Sequence, residues 1–288
     1  MYRLDLYPVY IFYCMKRNIL IYVCAFLAAI TLLYFYYMRD YKHCEYQEEL
    51  FTIWVGLLGF SVGGITNYCI ENQKLLITTF RCTCTFVRTE KVYVSLSYLC
   101  KIKIEGYNKY LLVRGGKIQH QYQSVGGVYK KYDTAKKVFQ DWNAKTKDDI
   151  NNPDDLRFFV LGKHIPSVIA WFNSRKNREV DIWREFYEEL IKTGILNSEI
   201  FCHVKAEYIN TSPQYLIVRD PFKCKQVLIY DIYEVNLTRS QQNALVQLYN
   251  DKPFSEEYAF VSEEDIDKSC FVVNGVEYKI GNHTKHII

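Results

Sequence analysis

The chain predicts two membrane-spanning helices followed by an α+β domain, a mixed β-sheet with flanking helices. Three observations carry this reading. Residues 19–38 form a run of twenty without a charge, and residues 51–70 form a second. From residue 75 onward, short stretches rich in β-branched and aromatic residues interleave with helical patterns. At 1.5 Å rise per residue a twenty-residue helix covers about 30 Å, the depth of a bilayer's hydrocarbon core.

The spans are expected at about 19–38 and 50–70, within an N-terminal segment 1–74. Aromatic residues gather at their ends (Tyr10, Phe12, Tyr13, Tyr34, Tyr37, Trp54), as at a lipid–water boundary. A signal peptide is the competing reading of the first run; no small-residue cleavage site follows it, and a second span does. Arg3, Lys16 and Arg17 precede the connector 39–50, and Lys74 and Arg81 follow it, whereas the connector holds more acidic than basic residues. This excess of Lys and Arg on the flanks predicts a two-span inner-membrane protein with both termini cytoplasmic. In the second span Gly56, Gly59, Gly63 and Asn67 share one helix face with GxxxG spacing. Ala25, Ala28 and Ala29 offer small residues on the first span. Such faces pack within a hairpin or join subunits.

Residues 75–288 suffice for one sizeable core. Strands are expected at 75–87, 92–104, 110–113 and 121–128. A short helix is expected at 133–142, a loop at 148–155, a strand at 156–161 and a helical stretch at 164–173. An acidic helix at 181–192 ends at Gly194. Strands resume at 200–209, 214–219 and 227–235. Thr238 and Gln241 form a capping box that opens a helix to about Tyr249. Residues 271–278 read as a hairpin with an Asn274–Gly275 turn.

Lys and Arg number 36 against 32 Asp and Glu. Between residues 128 and 178 there are eleven basic and six acidic residues. That excess suits a phosphate-bearing ligand or an anionic leaflet, or is a solvated surface; it is too weak for duplex nucleic acid. The ten cysteines form no CxxC pair, so reduced core residues are expected rather than a zinc site, with Cys44 a candidate cross-link. The six histidines show no ligand spacing.

The most informative stretch is Arg184-Glu185-Phe186-Tyr187-Glu188-Glu189. At 100° per residue, Glu185, Glu188 and Glu189 fall within about a third of the helix circumference. Trp183, Phe186 and Leu190 fall on another, apolar arc. Carboxylates gathered in this way repel each other unless positive charge sits among them. Either Arg184 and Lys192 supply it by pairing with Glu188, or a divalent cation does.

Arg-Glu-hydrophobic-x-Glu-Glu resembles the helical core of the Nudix box. The strand Lys109 to Arg114 and the segment Tyr122-Gln123-Ser124-Val125-Gly126-Gly127-Val128 resemble the strands and glycine pair that lead into it. The sequence departs from the full box at Lys176, Ala170 and Ile191, and an insertion at about 128–180 separates the glycines from the helix. Two spans followed by such a domain are similar to the membrane-anchored, SMODS-associated Nudix effectors of CBASS antiphage signalling. The resemblance implies a Nudix-like fold and a receptor for a cyclic di- or trinucleotide second messenger. It also implies a homo-oligomer that assembles on binding and disrupts the lipid bilayer in abortive infection. Ligand-binding residues would be Arg114, Tyr122, Gly126, Gly127, Tyr129 and Arg184. Glu185, Glu188 and Glu189 would hold a metal, with Mg²⁺ the cation and no cofactor required of a receptor. Two other readings stay open: a membrane-tethered, Mg²⁺-dependent hydrolase of nucleoside diphosphate derivatives, and a docking scaffold.

Overall fold

The computed structural model describes residues 17–38, 47–115, 121–146, 152–219 and 222–288. Residues 39–46 of the connector, with Cys44, and the N-terminal residues Arg3 and Lys16, lie outside them, as does part of the expected loop 148–155. The chain divides into two units, residues 1–90 with 161–174, and residues 91–160 with 175–288.

In the first unit α1 (Arg17–Met38) and α2 (Gln47–Glu71) pack antiparallel. The Trp54 indole donates to the Ala29 carbonyl (2.8 Å), and the Tyr22 and Phe60 rings lie 5.2 Å apart. Gly64 sits directly against the Tyr22 ring, where a Cβ could not fit. Among the described residues one helix, Phe51–Glu71, is long and apolar enough to cross a membrane, and only 6% of its apolar window is buried. The apolar stretch of α1, Ile19–Tyr34, is shorter. The expected glycine face behaves otherwise than a hairpin seam: Gly56, Gly59 and Gly63 face open space, and Asn67 bonds Glu71 on its own helix (2.9 Å).

Residues 75–87 are not a strand. They form α3 (Gln73–Cys84) and a 3₁₀ turn (Phe86–Thr89). The run of threonines that reads as strand is satisfied inside the helix, because Thr78 donates to the Lys74 carbonyl (2.7 Å) and Thr83 to that of Thr79 (2.8 Å). From the insertion, α5 (Ile165–Asn173) packs against α3, with Pro166 in its first turn. Numbering the short helix of the second unit as α4 (Lys136–Asp141) keeps chain order.

The second unit is built on two sheets. Its strands are β1 (Lys91–Lys101), β2 (Lys103–Ile104), β3 (Lys109–Arg114), β4 (Gln121–Ser124), β5 (Lys145–Thr146), β6 (Arg157–Leu161), β7 (Lys205–Arg219), β8 (Phe222–Asn236), β9 (Tyr258–Ser262), β10 (Cys270–Val273) and β11 (Val276–Ile280). One sheet has the order β5-β6-β1-β8-β7, with β1 and β8 parallel and β7 antiparallel to β8. The other runs β10-β11-β4-β3-β2, with β9 also on β3, and only β4 and β11 are parallel. Leu99 and Ile232 of the first sheet share a core cluster with Tyr110, Leu112, Tyr122 and Val261 of the second.

Expectations 200–209 and 214–219 merge into the single strand β7, which starts only at Lys205 and is broken by register shifts. Pro213 does not interrupt it; β7 is an edge strand, where proline is tolerated. The capping box is present: Thr238 Oγ1 accepts from Gln241 N, and Gln241 Oε1 accepts from Thr238 N, opening α7 (Arg239–Asp251). The hairpin turn is present too, with Asn274 and Gly275 at φ 50° and 79°, the backbone that Asn-Gly turns adopt.

Strand 121–128 ends early and changes sheets. β4 stops at Ser124, and the next residues pair with β1 through Cys100 N to Val125 O (2.7 Å), Tyr98 N to Gly127 O (2.9 Å) and Tyr129 N to Leu96 O (3.1 Å). The glycine pair is thereby carried onto the central strand. Replacing Thr238 by Ala should destabilise the domain by about 1 kcal/mol in chemical denaturation. Replacing the buried Asp231 by Ala, which removes a buried carboxylate facing Arg178 and an acceptor of Tyr129 and Thr211, should cost about 3–5 kcal/mol.

Candidate functional site

The acidic helix is not one regular α-helix. A single turn, α6 (Trp183–Phe186), passes into a π-helical turn (Tyr187–Ile191) closed by Lys192 N to Tyr187 O (2.8 Å). Wider i→i+5 turns of this kind recur at functional sites, and this one breaks the 100° phase assumed from the sequence. Phe186 and Leu190 are fully buried, while Trp183 remains partly exposed and stacks on Phe186.

Arg184 does not reach Glu188. Its guanidinium forks onto Glu179, Nε to Oε1 and Nη2 to Oε2 at 3.1 Å each, and also donates to the Val128 carbonyl (2.9 Å) and to Glu185 Oε1. Glu179 in turn accepts from Lys130 N (3.2 Å). Glu179 was missed because the pattern directs attention eight residues before the arginine, to Lys176. The available signal was the glutamate five residues before it.

The helix locks onto the glycine pair. Gly126 N donates to Glu189 Oε2 (3.2 Å), and the Glu185 carboxylate lies so close to Gly127 that a Cβ would displace it. At Gly126 φ is +155°, and a Cβ would collide with the Tyr98 carbonyl. Both glycines are therefore demanded by close approach. Burial pushes the Glu189 carboxyl up to about 8; the charges of Glu185 and Glu188 add to this, while Gly126 N–H and Arg184 oppose it. Burial also raises Glu185, against the pull of Arg184. Glu188 is exposed.

The three carboxylates thus sense each other, but two are engaged by protein donors. Among the described residues no three His, Cys, Asp or Glu side chains are grouped to hold a metal. Binding of Mg²⁺ by all three would require Glu189 to release the Gly126 N–H and Glu185 to release Arg184.

The other expected ligand residues separate. Tyr122 and Tyr129 are buried framework residues: the Tyr122 hydroxyl donates to Ser255 O (2.7 Å), and that of Tyr129 donates to Asp231 Oδ2 (2.9 Å). Asp231 also accepts from Thr211 (2.6 Å) and faces the buried Arg178 at 3.6 Å. Arg178 Nη1 donates to Glu179 O (2.8 Å), and Tyr233 donates to Val180 O (3.3 Å). This network fixes the segment that presents Glu179. Arg114 is half-exposed near Glu256, paired on the strand next to Tyr122.

Alternation along β1 sends Tyr98 and Cys100 toward the acidic helix, whose carboxylates raise both side chains' pKa values in addition to burial. Ser95 and Ser97 point to the opposite face. There a cavity of about 390 Å³ opens, walled by Ser97, Gln121, Gln123, Arg157, Tyr230 and His283 together with the glycine backbone. Among the described residues no carboxylate lines it. Sequence reading missed Arg157, Tyr230 and His283, which are scattered over the chain and meet only through sheet pairing.

This two-sheet α+β unit, with an Arg-Glu helix docked on a glycine pair, is a Nudix-like domain. Residues 91–288 match the SMODS-associated NUDIX domain family, and the chain belongs to that family. No curated protein and no solved structure matches it.

Glu189 gives the domain a signed pH dependence. Below about 4.5 the carboxyl is protonated in folded and unfolded chains alike. Between there and about 8 the unfolded chain ionises while the folded one holds its proton, so stability falls as pH rises. Thermal melts in EDTA should show this decline, and Glu189→Gln, which keeps an acceptor for Gly126 N, should flatten it.

Proposed function

We propose that this protein is a membrane-tethered receptor for a cyclic di- or trinucleotide and acts as an effector in CBASS antiphage defence. In this reading α1 and α2 cross the inner membrane with both termini cytoplasmic. Ligand binding draws copies into a homo-oligomer, and the bilayer is disrupted.

One observation carries the choice of receptor over enzyme. The box carboxylates hold the fold together, Glu185 on Arg184 and Glu189 on Gly126, while the glycine pair also walls a carboxylate-free cavity. A site whose acids are spent on structure retains a nucleotide-sized space without a ready metal centre. The membrane part of the reading is supported by α2, whose apolar window is almost wholly unburied, unlike the core helix of a soluble protein. The open faces of Gly56, Gly59 and Gly63 leave a surface on which helices of neighbouring copies can approach closely. A nearly complete shift between free and assembled states needs about 5.5 kcal/mol of differential ligand affinity, which a ligand touching more than one copy can supply.

The hydrolase reading keeps one favourable feature, the exposed Glu188 within electrostatic reach of Glu185 and Glu189. The two readings part in one experiment on the intact protein in dye-loaded vesicles. Addition of a cyclic di- or trinucleotide should cause assembly and dye release, with the ligand recovered unchanged. Mg²⁺-dependent turnover of nucleoside diphosphate derivatives, abolished by Glu188→Gln and without dye release, would give the enzyme instead.

A further inference from the structure

We infer that the cavity beside the glycine pair takes a single nucleotide unit, its phosphate on Arg157 and its base against Tyr230 and His283, so that a cyclic di- or trinucleotide is shared between copies of the chain. The sharing rests on the receptor reading; the cavity assignment stands on its own geometry.

Size comes first. About 390 Å³ lies near the lower end of small-ligand pockets, which run from about 300 to 1,000 Å³. It is closer in size to one base with its sugar phosphate than to a ring of two or three such units. Charge points the same way. Arg157 is the one charged side chain among the described lining residues, and it forms no ion pair among the described residues. A guanidinium fork matches a phosphate's oxygens, and an unpaired one is available to do so. Arg219 lies close by but is engaged with the Tyr230 hydroxyl. One lining guanidinium answers one phosphate, whereas a cyclic dinucleotide brings two.

The remaining wall suits a heteroaromatic base. Tyr230 lies nearly parallel to His283 (14°) and to His286 (26°), and Tyr230 and His283 both line the cavity, so aromatic rings form part of its wall. Burial, with His286 and Arg219 adding to it, pushes His283 down to about 4. Its ring is therefore neutral near pH 7 and can either donate or accept. Gln121 and Gln123 add amide donors and acceptors. Polar groups of both kinds around a flat wall can read a base edge, which a simple anion site would not require.

Calorimetry on the full-length protein in detergent tests both parts, using the four 5′-mononucleotides, cyclic di-AMP, cyclic di-GMP, cyclic GMP–AMP and cyclic tri-adenylate. The expected result is a mononucleotide bound weakly at one per chain, and a cyclic ligand bound more tightly at one per two or three chains. Arg157→Ala should weaken both at least tenfold, and Gln123→Glu, which sets a carboxylate against the phosphate, should do the same where Arg157→Ala fails to fold. Lys268→Ala, on an exposed helix, should match the wild type. Wild-type affinity in the Arg157 and Gln123 variants overturns the cavity and leaves the receptor standing. One cyclic ligand per chain overturns the sharing. No heat from any of these ligands overturns cavity and receptor together.

Discussion

The Arg184 guanidinium holds the second unit's functional half in place. It bonds Glu179 ahead of the helix, Glu185 on the helix and the Val128 carbonyl beyond the glycine pair. The glycine segment, 56 residues away in sequence, therefore meets the helix and its lead-in on one planar group. A lysine could not replace it, since one ammonium cannot present a bidentate fork to Glu179 and still reach a carbonyl and a second carboxylate. The buried Arg178–Asp231 pair stands behind it, anchoring the backbone from which Glu179 projects. Breaking a buried pair leaves a charge without compensation, so the approach to the helix is set by an interaction that tolerates little change.

The glycines were legible from sequence because their requirement is local. Two adjacent positions without Cβ imply close approach, and here the approach is made by Glu185 and the Tyr98 carbonyl. The capping box at Thr238 and the turn at Asn274 were legible for the same reason, since each is a short-range hydrogen-bond or dihedral rule. The family resemblance added the link between glycine pair and acidic helix, which the intervening insertion hides from any window-based reading.

What escaped was set by tertiary context. Threonine-rich α3 carries a strand-like composition, and only the i−4 carbonyls of a continuing helix make it comfortable. Pro213 reads as a strand break unless the strand is known to lie at an edge. Tyr122 and Tyr129 sit beside the glycine pair in sequence, yet strand alternation and sheet switching send their hydroxyls to Ser255 and Asp231. Arg157, Tyr230 and His283 belong to three separate segments. No spacing rule links residues that become neighbours only when β1 pairs with β8 in parallel.

The same two peptide units serve both faces of β1. Toward the acidic helix, Gly126 donates to Glu189 and Gly127 leaves space for Glu185; toward the cavity, both form part of the wall. A ligand in that cavity, as proposed, would share this backbone with the helix latched to it. Any preference the ligand has between latched and released backbones must appear as an equal bias on the latch, because coupling between two sites is reciprocal. Glu189 sits at the point where such a bias acts on a proton. Its carboxyl is held neutral by burial and steadied by Gly126 N–H, so loosening that contact exposes the carboxyl to water and favours ionisation. On these terms two of the box glutamates couple the glycine strand to the helix, Glu189 through the Gly126 N–H and Glu185 through its close approach to Gly127.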